Sequence, residues 1–132
     1  MPSAHDVDGV VFKNGSATFL ARIVGADGEA IKQADLSAAE YTVYLVNPGD
    51  ENGDVAVDGH EGESLVIAST IFDTLQTDDL WDVDTTGYNF KHVLDVSSDQ
   101  AFALAGRKYR VVFTLTPVAG QDILVRFLVK AI

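Results

Sequence analysis

Hydrophobic and polar residues alternate most regularly at the C-terminal end of this chain. Residues 101–132 read AFALAGRKYRVVFTLTPVAGQDILVRFLVKAI, two alternating runs joined by a turn that holds proline and glycine. Tyr109, Val111, Phe113 and Leu115 share one face of the first run, and Arg110, Val112, Thr114 and Thr116 the other. In the second run Ile123, Val125, Phe127, Val129 and Ala131 oppose Leu124, Arg126, Leu128 and Lys130. Period-two patterning rich in Val, Phe, Ile and Thr on both sides of a turn predicts a β-hairpin. A lone hairpin is marginal in water, so its apolar face requires a second sheet.

Shorter runs upstream supply the rest. Residues 10–12 are apolar and end at Asn14-Gly15, a turn dipeptide. Residues 16–24 alternate Ala17, Phe19, Ala21 and Ile23 against Thr18, Leu20, Arg22 and Val24, and two apolar faces suit a strand inside a sheet. Residues 30–40 fit either a helical turn capped by Asp35 or Ser37, or an irregular crossing between sheets; the crossing is favoured. Residues 41–46, YTVYLV, read as a strand that stops at Asn47-Pro48-Gly49. Residues 50–63 form an acidic, glycine-rich loop with a brief strand at 55–57, and residues 65–72 read as a further strand. Residues 73–86 are a second acidic segment, a loop or short helix pinned to the body by Leu75, Leu80 and Trp81. Residues 88–96 are another strand, and 97–100 turn into the hairpin.

About seven or eight strands separated by turns predict an all-β fold, an immunoglobulin-like two-sheet antiparallel β-sandwich. One domain over residues 1–132 is expected, with 1–6 as a loose tail. Tyr109 follows the glycine turn at Gly106, at the start of the penultimate strand. In immunoglobulin-like sandwiches a tyrosine there ties its hydroxyl to the preceding corner.

Charge and composition narrow the partners. A formal net charge of −11 repels nucleic-acid phosphate and anionic lipid, so neither nucleic acid nor a membrane is expected as a partner. The chain has no cysteine, which removes disulfides, thiol chemistry and cysteine zinc sites. The opening MPSAHDVDG has no basic region followed by an apolar one, and no apolar run approaches the ~18 residues that span a bilayer. The expectation is a soluble protein that stays in the cytoplasm as synthesised and leaves the cell only as part of a larger particle.

Oxygen-rich loops are the first candidate chemistry. Asp50, Asn52, Asp54, Asp58 and Glu61 occupy positions one, three, five, nine and twelve of a window with calcium-loop spacing. Val55 stands where that loop wants glycine, and the flanks read as strands, so a solvated loop accounts for the same residues. Asp73, Asp78, Asp79, Asp82 and Asp84 are accounted for by turn and cap chemistry. Hydrolytic groups do not assemble: His92 and Asp95 leave a strand on opposite faces, and Ser97 and Ser98 follow in a turn. His5 and His60 lack metal spacing, and no nucleophile elbow or phosphate loop is present. Among the aromatic residues, Trp81 in its loop is the candidate interaction residue, exposed or filling a partner's pocket.

The second half orders D-x-x-G-Y-N-F, Gln100-Ala101-Phe102, A-G-R-K-Y-R-V and a closing hairpin. That layout, over roughly residues 84–132, resembles the small β-sandwich virion proteins, tail or head accessory, of tailed phages and prophages. It is also similar to the N-terminal domain of phage baseplate upper proteins. The matching positions are Asp84, Gly87, Tyr88, Gly106 and Tyr109, all read as fold residues. The acidic middle, residues 50–84, has no place on the family pattern. The resemblance implies a non-enzymatic structural or adaptor role through protein–protein assembly, by self-association or within a larger particle, with no cofactor. A carbohydrate- or calcium-binding module using the acidic loops and aromatics is the alternative, and a hydrolase ranks below it.

Overall fold

The computed structural model describes residues 6–25, 27–49 and 53–132. Two β-sheets face each other. The larger one runs β1 (Asp6–Val11), β9 (Ile123–Ala131), β8 (Lys108–Pro117), β3 (Leu36–Leu45), then the two-residue β4 (Val55–Ala56), with β5 (Glu63–Ser64) also pairing β3. The smaller one is β2 (Thr18–Ala21), β7 (Tyr88–Val93) and β6 (Ile71–Gln76). This is an all-β two-sheet sandwich of about nine strands.

The C-terminal hairpin is its frame. Lys108 opposes Lys130 and Leu115 opposes Ile123, so alternation delivers Tyr109, Val111, Phe113 and Leu115 to the interior, all buried. The second layer arrives as required. Phe90 of β7 meets Phe113 edge-on at 4.9 Å, and Phe19 of β2 meets Phe127 at 4.8 Å. Tilted and edge-on ring pairs at this spacing add about 1 kcal/mol each beyond the area they bury. The corner tyrosine does as expected: the Tyr109 hydroxyl accepts the Leu104 N–H at 3.0 Å. Gly106 turns that corner at φ +84°, and its N–H donates to Ala131.

Six expectations need correction. Residues 65–72 are not a strand: Ile67–Thr70 form a single helical turn, α1, and pairing begins at Ile71. A short apolar run fits either period, and here the Thr70 hydroxyl donating to the Val66 carbonyl closes a helical turn. β6 consequently takes Asp73–Gln76 out of the segment read as loop. β3 starts at Leu36, five residues before the clear strand pattern, because β8 offers a full-length partner to the alanine-rich Leu36–Glu40 stretch; a 3-10 turn (Gln33–Asp35) precedes it, Asp35 accepting the Lys32 N–H. β2 is an edge strand and not an interior one. The sandwich is not wholly antiparallel, since β1 runs parallel to β9. β1 also starts at Asp6, inside the expected tail, whose other residues 1–5 lie outside the described ones. No hairpin links β1 to β9, so nothing constrains that pair to be antiparallel.

Candidate docking site

Both sheets end in an unpaired strand on the same side of the molecule. Among the described residues β1 pairs only with β9, and β2 only with β7. On β1 the Val11 carbonyl accepts from Ile132 and the Lys13 N–H donates to the Ile132 carbonyl. Alternation therefore turns the N–H and C=O groups of Asp8 and Val10 outward. The other margin of the larger sheet is covered: along β3, Val43 donates to His60, and Val57 and Leu65 donate to Val43 and Ala39, while β6 is the outer strand of the smaller sheet.

Between β1 and β2 runs a groove of about 280 Å³ whose walls include Val7, Val10, Leu20, Trp81, Val83 and Phe127. Its rim carries exposed apolar residues beside Asp8 and Asp82: Val10 is 69% exposed, Val83 71% and Leu80 54%. Solitary apolar residues on a surface need no explanation, but a contiguous group beside an open strand edge is the arrangement of a contact surface.

The loop that carries Trp81 is held stiffly. Asp84 accepts the Trp81 indole N–H at 2.9 Å, the Thr86 and Gly87 N–H groups at 3.0 and 3.1 Å, and Arg22 Nη1 at 2.6 Å. These donors, the indole foremost, hold its carboxyl well below the usual carboxylate range. Trp81 also leans on Tyr88 with ring centres 5.6 Å apart. The Tyr88 hydroxyl donates to Asp78 at 2.7 Å, and burial with that carboxylate pushes its pKa up to about 12. Gly87, at φ +104°, lies so close to the Gln76 carbonyl that a Cβ would sit 2.4 Å from it. Trp81 is thus a half-buried wall of the groove, and its neighbours Leu80 and Val83 are what the loop presents to solvent.

The calcium-spaced residues fare differently. Asp50 and Asn52 lie outside the described residues. Asp54 accepts the Asn47 N–H at 2.9 Å and pairs with Arg110 at 2.8 Å, while Asp58 and Glu61 are exposed. Among the described residues no three His, Asp or Glu side chains are grouped to hold a metal ion.

Of the described histidines, His60 is buried and His92 half-buried, and His5 lies outside the described residues. His60 is buried, with Nε2 at 2.7 Å from the Asp99 carbonyl and Nδ1 at 2.8 Å from the Tyr41 hydroxyl. A carbonyl only accepts, so Nε2 donates to Asp99, and Nδ1 is left to the Tyr41 hydroxyl. Burial, then Glu63 and Asp95, push the Tyr41 hydroxyl up to about 12. His92 packs on Tyr41 and Phe113, its Nε2 has no hydrogen-bond partner, and burial pushes its pKa down. Asp95 instead accepts the Ser97 hydroxyl and N–H, which lower its pKa. His92, Asp95 and Ser97 do not converge. A notch of about 470 Å³ between α1 and β7 is lined by Ser64, Ser69, Thr70 and Lys91 along one side of His92.

One buried polar residue had no signal beyond standing between two aromatics. Asn89 accepts the Ile23 N–H at 2.7 Å and donates to the Ile23 and Ile31 carbonyls at 2.9 and 3.1 Å. It ties the loop after β2 to β7.

No helix among the described residues is long and apolar enough to cross a membrane. No known protein family, curated protein or solved structure matches this chain.

Proposed function

We propose that this chain is a non-enzymatic interaction protein that docks onto other protein through the β1–β2 side of the sandwich. The observation that carries this reading is one apolar groove flanked by two open strand edges, one on each sheet. An open edge offers a ready row of donors and acceptors to an incoming strand, and the groove beside it receives alternate side chains. The wall supports the same reading, because a loop pinned through Asp84 loses little entropy on binding. The role in view is that of an accessory or adaptor protein of a phage-like virion. Its virion part rests on the layout resemblance of residues 84–132, where Asp84, Gly87, Tyr88, Gly106 and Tyr109 all serve the fold.

The test is comparative capture. Protein retained by the immobilised wild-type chain is compared with that retained by a Val10→Pro, Val83→Asp double variant of unchanged melting temperature. Proline at an edge strand removes an outward N–H without breaking an internal ladder bond. Loss of the retained set in the variant is the expected result; identical sets from both chains would refute the reading.

A further inference from the structure

We infer that the strand received at the β1 edge is β1 of a second copy of this chain, antiparallel, with the two Gly9 residues facing each other across the axis. This rests on β1 being the docking edge and adds who occupies it.

Outward groups on β1 belong to the even-numbered residues, since Val11 and Lys13 bond inward to Ile132. Antiparallel bonded pairs must join outward-facing residues on both strands. A two-fold axis can then pass through Asp8, Gly9 or Val10. An axis at Asp8 sets two carboxylates directly opposite, which destabilises a sheet. An axis at Val10 overlaps only residues 9–11 of the strand and leaves 6–8 beyond it. An axis at Gly9 pairs Asp8 with Val10 and Val7 with Val11 of the copy, using five of the six residues of the strand. Side by side at the axis are two residues without Cβ atoms.

Charge selects the same register. Within one chain Val10 lies beside Lys130 of β9. With the axis at Gly9, Asp8 faces Val10 of the second copy and is therefore in line with that copy's Lys130, two strand spacings away. That is about 9.6 Å between backbones, a gap that the long lysine stem and the aspartate side chain close together. Symmetry makes the pairing twice. The surface carries an acid and a base at the separation its own copy requires, which is the self-complementarity of a two-fold interface. A foreign strand would satisfy the hydrogen bonds but gains nothing from this spacing. Pairing also covers Val10, 69% exposed, and joins the two larger sheets into one.

The chain has no cysteine, so single substitutions report the register cleanly. Facing residues in a non-bonded antiparallel pair have Cα atoms about 4.5 Å apart, inside the range a disulfide accepts. A Cβ at Gly9 meets only Val129 Cγ1, at 3.6 Å, so Gly9→Cys is tolerated. Under mild oxidation at about 150 mM salt, where Debye screening damps the repulsion between acidic copies, Gly9→Cys should link into dimers at least about tenfold faster than Val7→Cys or Val10→Cys. Sedimentation of the wild type should show a concentration-dependent dimer, and Val10→Pro a monomer with unchanged melting. A wild type monomeric up to about millimolar concentration, outside the usual range for a specific contact, would overturn the inference, as would equal linking rates at the three positions or a dimer that survives Val10→Pro. A monomeric wild type that still loses captured partners on Val10→Pro and Val83→Asp would remove the second copy and leave the docking edge standing.

Discussion

Replacing Asn89 tests whether its side chain, and not its strand, holds the loop after β2. Asn89→Leu keeps the volume and removes three bonds at once. The Ile23 carbonyl keeps its bond from the Ile31 N–H at 3.0 Å, so two groups lose their partner, the Ile23 N–H and the Ile31 carbonyl. Both residues are buried. An orphaned buried group costs about 1–3 kcal/mol, so the pair should cost about 3 kcal/mol, a large share of a typical domain's stability. For a chain of this size that lowers the melting midpoint by about 10 °C. Thermal melts followed by circular dichroism and urea titration measure it. Asn89→Asp sharpens the test, because the Ile23 N–H keeps an acceptor while a carboxylate faces two carbonyls. Burial raises that carboxyl's folded-state pKa above its unfolded value. The folded state then binds the extra proton, so stability falls as pH rises from about 4 through the raised value. An Asn89→Leu chain within about 1 kcal/mol of wild type, or an Asn89→Asp chain equally stable at pH 4 and pH 8, would refute the reasoning.

Three further outcomes follow from the same geometry. Gly87→Ala should cost about 2 kcal/mol or more in urea, since φ is +104° and the new Cβ meets the Gln76 carbonyl; an unchanged midpoint would contradict that fit. The Asp84 carboxyl lies below its usual range, so its stabilisation is present above pH about 4 and is lost as pH falls through the depressed value. Trp81 fluorescence should report loop release in that acid range, and Asp84→Asn should remove the acid-dependent step. His92 has a depressed pKa and an unpartnered Nε2, so its stabilisation is full above about pH 6.5 and declines below it as the unfolded chain takes up a proton. His92→Phe should flatten stability between pH 5 and 7; a slope equal to wild type would mean the imidazole is solvated.

The resemblance positions illustrate what local pattern conveys. Gly87 and Gly106 occupy positive φ, Tyr109 closes its corner, and Asp84 collects the donors of its own turn. Each of these is decided within a few residues. Trp81 was legible as a loop aromatic, but its half-buried place against Tyr88, and the exposure of Leu80 and Val83 beside it, depend on a strand further along.

Alternation alone determined the hairpin, its buried face and the need for a second layer, because side-chain direction in a strand repeats every two residues wherever the chain goes. Tertiary structure decided the rest. Residues 65–72 fit two periods, and only their neighbours made Ile67–Thr70 a helical turn and Ile71–Gln76 a strand. The leading strand joined β9 at a separation of more than a hundred residues, in an orientation no turn dictates. Which strands are left at the edge, and hence where another chain can add, is a property of sheet order. Sheet order comes from pairings between segments distant in sequence, which a local pattern does not encode.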